Sequence, residues 1–106
     1  MAILNLEDKR FFDAAINTPV PILIDFWAEW CFPCKTMLPI LEDLSETEDI
    51  VVAKVNVDDL PELAEGITSI PTMRVYVNGE VVKEIVGAKP KPALLVELQE
   101  FLKEDA

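Results

Sequence analysis

Residues 26–35 read FWAEWCFPCK and carry both cysteines of the chain. Just upstream, ILIDFWA (22–28) is almost continuously apolar, the pattern of a strand buried on both faces. Downstream, from about Phe32 to Ser45, apolar residues recur at helical spacing. The two cysteines therefore fall on a strand-to-helix junction. Pro33 suits the first turn of that helix, where its missing N–H does no harm and its fixed φ pre-organises the turn. Cys31 is then expected at the positive end of the helix dipole, which favours a thiolate, with Lys35 adding positive potential. Cys34, three residues on, shares the same face, so the two sulfurs can bond without large strain. An exposed, acidified first thiol beside a more buried second one is what thiol–disulfide exchange needs. The first attacks and the second resolves the mixed disulfide.

Two other uses of a Cys-x-x-Cys pair fit less well. Zinc needs two further soft ligands, and the chain has two cysteines and no histidine, so no metal is expected. A purely structural disulfide would close a tiny loop and constrain the unfolded chain little. The lack of histidine also removes Cys-His nucleophilic catalysis, and with three glycines there is no phosphate-cradling Gly-rich loop. Nine basic against twenty acidic residues give a net charge of −11, which repels phosphate backbones and anionic lipid. Neither nucleic acid nor a membrane is expected as a partner. No apolar run reaches the length of a membrane span, and MAILNLEDKR lacks a basic leader, so the expected compartment is the cytoplasm. With 106 residues, 51% apolar and 27% charged, the expectation is one domain over residues 1–106 with a single hydrophobic core.

Outward from the cysteines, the periodicity predicts alternating elements. A short apolar opening (Ile3, Leu4, Leu6) precedes an amphipathic helix over 7–17, with Phe11, Phe12, Ala15 and Ile16 inward, ended by Thr18-Pro19-Val20-Pro21. IVVAKVNV (50–57) is a valine-rich strand, and 58–65 a short helix or turn. TMRVYV (72–77), Asn78-Gly79 and EVVKEIV (80–86) form a hairpin, because Asn-Gly suits a type I′ turn. Residues 92–103 close the chain as a helix with Leu94, Leu95, Leu98, Phe101 and Leu102 on its inner stripe. The order β-α-β-α-β-α-β-β-α is an α/β fold, a mixed sheet with helices on both faces.

Asp25 and Lys54 are lone charges of opposite sign within otherwise apolar strands. Burying either alone is expensive, so adjacent strands that bring them together make physical sense. A desolvated Asp25 has a raised pKa and could relay a proton to the resolving thiol. The plainer alternative is that Asp25 reaches solvent at the strand end and Lys54 snorkels outward.

DFWAEWCFPCK, Pro39, VNVD, ITSIPT, VNGE and VGA follow in the order of the thioredoxin pattern, and the chain resembles that family over nearly its whole length. The resemblance implies a central five-stranded mixed sheet flanked by four helices, with the dithiol at the start of the second helix. It makes Cys31 the nucleophile, Cys34 the resolving thiol, Asp25 a buried acid/base and Lys54 its partner. It also places Pro39 within the active-site helix, Trp27 beneath the site, and Trp30 beside the cysteines. Pro71 becomes a cis proline facing the disulfide, leaving the Ile70 backbone free to pair with an extended substrate. Trp27, Val57, Ile70, Val86, Gly87 and Ala88 map to the apolar substrate groove. The implied activity is protein-disulfide reduction, with no bound cofactor and electrons supplied by an external, thioredoxin reductase-like enzyme. Disulfide-containing proteins are the implied substrates, and the chain is expected to act as a monomer. Pro33 before Cys34 resembles reducing members more than oxidising ones, which predicts a potential within tens of millivolts of about −270 mV. A disulfide oxidant or isomerase, or a binding subunit that does not use its cysteines, are the competing roles. Two departures border the docking face. Phe32 replaces the usual glycine, where its ring would add apolar area beside Cys31, and the segment before Ile70 is about two residues shorter than the pattern.

Overall fold

The structure, a computed structural model, describes residues 3–102. The apolar run that includes Asp25 becomes β2 (Ile22–Trp27), every residue of which is buried, as a strand covered on both faces must be. It lies at the centre of a five-stranded sheet ordered β1-β3-β2-β4-β5. The strands β1 (Leu4–Asn5) and β3 (Val51–Asn56) run parallel to it on one side. On the other side β4 (Thr72–Val77) and β5 (Glu80–Val86) form an antiparallel pair, with β4 antiparallel to β2. The sheet is therefore mixed. Asn78 at φ 52 and Gly79 at φ 82 both take the left-handed region, as the two-residue type I′ connection between β4 and β5 requires.

Side-chain alternation along the strands builds two cores. On one face Leu23, Val52, Met73, Val75 and Ile85 meet Met37, Leu41 and Leu44 of α2 (Phe32–Thr47) and Leu94 and Leu98 of α3 (Lys91–Leu98). On the other, Ile22, Ile24, Phe26, Val55 and Tyr76 meet Phe12 and Ile16 of α1 (Lys9–Ile16). Full burial of each such side chain contributes about 1.5–3 kcal/mol. Asp8 caps α1 by accepting the Phe11 N–H at 3.0 Å.

Three expectations need correction. Phe11 is 60% exposed rather than inward, because Phe12 and Ile16, four residues apart, take the buried stripe and Phe11 projects about 100° from Phe12 toward Leu4 and Leu6. The sheet is flanked by three α-helices rather than the four implied by the resemblance, among the described residues; 58–65, expected as a short helix or turn, forms a 3₁₀ turn at Pro61–Ala64. Pro61 starts that turn, and Gly66 at φ +85 interrupts helical backbone soon after, so the shortened segment has no room for several turns of α-helix. The last helix gives way at Leu98 to a 3₁₀ turn over Gln99–Phe101, and its predicted end at Lys103 lies outside the described residues. No helix among the described residues is long and apolar enough to cross a membrane.

Candidate active site

The strand-to-helix turn after β2 places Cys31 as the N-cap of α2, with Pro33 in the first turn. Cys31 and Cys34 are joined by a disulfide, their Cα atoms 5.2 Å apart. The Cys34 N–H points at the Cys31 sulfur, with N 3.2 Å from Sγ. This N–H is one of the orphan donors of a helix start, and it is aimed where a Cys31 thiolate would carry its charge. Lys35 contributes less positive potential than the sequence suggests, since its Nζ lies 4.0 Å from Glu29 and both side chains are exposed.

The first sulfur is not openly exposed. Cys31 is 4% and Cys34 0% exposed, because Trp27 and Ala28 pack with them and Val57 and Ile70 close over the cluster. The order of accessibility expected for attacker and resolver is kept, but Cys31 is recessed. The Ile70–Pro71 peptide bond is cis, and the Ile70 carbonyl oxygen lies 3.8 Å from Cys31 Sγ. Gly87 N–H donates to the Pro71 carbonyl at 2.8 Å, which fastens the VGA segment to the same loop. Of the expected groove, Val86 (50% exposed) and Ala88 offer surface, whereas Val57, Ile70 and Gly87 are half-buried. Trp27, at 7% exposure, lies beneath the disulfide and presents little area to a substrate. Pro39 sits inside α2 on its exposed side, where a missing N–H is tolerated.

Asp25 and Lys54 are direct partners in the parallel register of β2 and β3, and so share the face that carries α2. Asp25 is 0% exposed, and neither carboxylate oxygen has a hydrogen-bond partner. Burial pushes its pKa up to about 7, with the positive charge of Lys54 pulling the other way. The Lys54 ammonium forms no ion pair with it; Nζ instead lies 4.7 Å from the centroid of the Trp27 ring. The lone charges thus meet across strands as the pattern predicts, while an indole face takes part of the cation's attraction.

Reading the sequence alone misses one participant. Asp58 Oδ2 accepts the Trp30 indole N–H at 2.8 Å, and Asn56 Oδ1 accepts the N–H of Asp58 at 2.9 Å. The signal is the VNVDD run, since Asn and Asp after a strand commonly bond nearby backbone and set side chains in place. Among the described residues no cluster of His, Cys, Asp or Glu could hold a metal.

Comparison with known proteins bears on the same residues. The family model described as Thioredoxin matches residues 2–100. A thioredoxin of Streptomyces clavuligerus is 49% identical over 94 residues, which cover 86% of this chain and 88% of that protein. A Mycobacterium leprae protein called a bifunctional thioredoxin reductase/thioredoxin is 43% identical over 103 residues, covering 93% of this chain and 22% of its own. Among solved structures, a mutant thioredoxin from Halobacterium salinarum superposes with a TM-score of 0.89 at 31% identity, covering 99% of this chain and 95% of that one.

Proposed function

The chain belongs to the thioredoxin family and is a thiol–disulfide oxidoreductase of the protein-disulfide reductase type, and from that premise we propose how its residues divide the work. Cys31 attacks. In the reduced protein its thiolate sits at the N-cap of α2 and receives the Cys34 N–H, a charge-assisted hydrogen bond that favours the attacking anion. It bonds to one sulfur of a substrate disulfide, and the other substrate sulfur leaves as a thiolate. Cys34 then attacks Cys31 Sγ, closes the intramolecular disulfide and expels the remaining substrate thiol. The protein dithiol is oxidised by two electrons and the substrate disulfide is reduced by the same two.

Cys34 must lose a proton to attack, from a site with 0% exposure. Asp25 is the proposed acceptor, and later the donor, because a carboxyl with a pKa of about 7 populates both forms near neutrality. Lys54 keeps the ionised form accessible despite burial. The Ile70 backbone beside Cys31 is the proposed pairing edge for an extended substrate segment, with Pro71 behind it. The observation that carries the reading is the placement of the Cys31–Cys34 disulfide on a helix N-terminus with the Cys34 N–H directed at Cys31.

Recharging by an external thioredoxin reductase-like enzyme is proposed, supported by the Mycobacterium leprae protein whose name joins both activities in one chain. The proposed setting is the cytoplasm, where the poise keeps such a dithiol reduced, with the chain acting as a monomeric single domain. Insulin reduction driven by dithiothreitol, or by NADPH with thioredoxin reductase, tests this. Activity is expected with both; inactivity with both would sink the proposal, and undiminished activity of the Cys31→Ser/Cys34→Ser variant would remove the dithiol from it.

A further inference from the structure

Phe32 occupies the position where the thioredoxin pattern has glycine, and the backbone does not ask for either residue in particular. It is the first residue of α2, and among the described residues the only non-glycine with positive φ is Asn78. Its ring is 75% exposed and Trp30 is 71% exposed, and these two residues flank in sequence the recessed Cys31. The Trp30 ring is held by its bond to Asp58, whereas Phe32 makes no ring–ring contact among the described residues. So large an apolar group left in water contributes little to the folded monomer.

The reaction itself names the occupant of this surface. Any disulfide the chain reduces must bring a sulfur to Cys31, so the polypeptide bearing it passes against the side chains bordering that sulfur. Cys31 is recessed and Phe32 stands proud beside it, so the ring is buried only when a substrate arrives. The nearby charges, Glu29 and Asp58, are acidic, and Lys35 is shared with Glu29. An apolar neighbour to the attacked cysteine gains contact with the ring, while a small polar one gains none.

We propose that Phe32 is a specificity-determining residue, selecting protein disulfides whose attacked cysteine has a bulky apolar side chain next to it. The assignment rests on the reductase reading above and leaves its electron balance unchanged. It is tested with disulfide-linked homodimers of two short peptides, one with Phe and one with Ser after its single cysteine, so that both sulfurs of each dimer are equivalent. Pre-reduced protein is mixed with each dimer and with hydroxyethyl disulfide, and the two peptide rate constants are normalised to that small disulfide. The parent should prefer the Phe dimer by about tenfold, Phe32→Gly should lose that preference, and Phe32→Leu and Phe32→Tyr should keep most of it. Retention of the preference in Phe32→Gly would overturn the proposal, as would an equal loss with all three disulfides, which would mean that the ring acts on the thiol. A defect confined to recharging by NADPH and thioredoxin reductase would also overturn it, placing the ring on the reductase side. If the parent reduces none of the three, the reductase reading falls and takes this one with it. Reduction of hydroxyethyl disulfide without discrimination between the peptides sinks the specificity proposal alone.

Discussion

Asp25 has 0% exposure in β2, unbonded carboxylate oxygens, and a pKa pushed up to about 7 by burial from an ordinary value of 3.8. Across roughly pH 4–7 the folded chain therefore keeps a proton that the unfolded chain has released. Where the folded state binds more protons, stability falls as pH rises. The contribution is fully present below the unfolded value and lost as pH passes through the folded one. A difference of about 3 units at 1.36 kcal/mol each makes the loss on the order of 4 kcal/mol. Asp25→Asn removes the ionisation while keeping the shape. Its amide is itself buried and short of partners, a pH-independent cost of about 1–3 kcal/mol, so the decisive quantity is the slope and not the intercept. Urea unfolding of oxidised parent and variant should give a stability difference that grows in favour of Asn by several kcal/mol between about pH 4 and about pH 8. With a urea dependence of about 1–2 kcal/mol per molar, that is a relative midpoint shift of roughly 2–4 M. Half-buried surface carboxyls such as Asp8 and Glu97, whose pKa values are lowered, are common to both proteins and cancel in the difference. A difference that stays constant over this range would refute both the desolvated carboxyl and its proposed role as proton acceptor.

Removing the Lys54 charge as Lys54→Met should raise the Asp25 pKa further, since that cation is what opposes burial. Carboxyl-carbon NMR titration, together with the pH–rate profile of disulfide reduction, should move to higher pH; no movement would show that the Trp27 ring holds the ammonium too far away to matter. Gly79→Ala should destabilise the fold by about 1–2 kcal/mol in chemical denaturation. The added methyl group would meet the Asn17 side chain in a backbone at φ +82, and an unchanged midpoint would count against the type I′ geometry.

The strand-to-helix junction and the hairpin were legible because the interactions behind them are local. Apolar alternation, Pro33 in a first turn, and Asn78-Gly79 at positive φ are each decided within a few residues. The four-helix count implied by the resemblance failed at 58–65, where Pro61 and Gly66 leave room for a 3₁₀ turn but not for several turns of α-helix. Local reasoning failed at Phe11, since an amphipathic stripe defines a direction only once the sheet beneath it is placed.

From residue types alone followed the chemistry: two cysteines on a helix start, no histidine, and opposite lone charges in two buried strands. The parallel β2–β3 register then set Asp25 against Lys54, but only the side-chain packing between those two strands turned the ammonium over Trp27 and left the carboxyl unpaired. The contacts between Cys31 and Ile70, Pro71 and Gly87, and Trp30 and Asp58 join residues 39, 16 and 28 positions apart. A linear pattern fixes which side chains share a face, because periodicity is a local property. Which of them meet, and how far a sulfur is recessed, depends on strand register and loop closure, and these exist only in the folded chain.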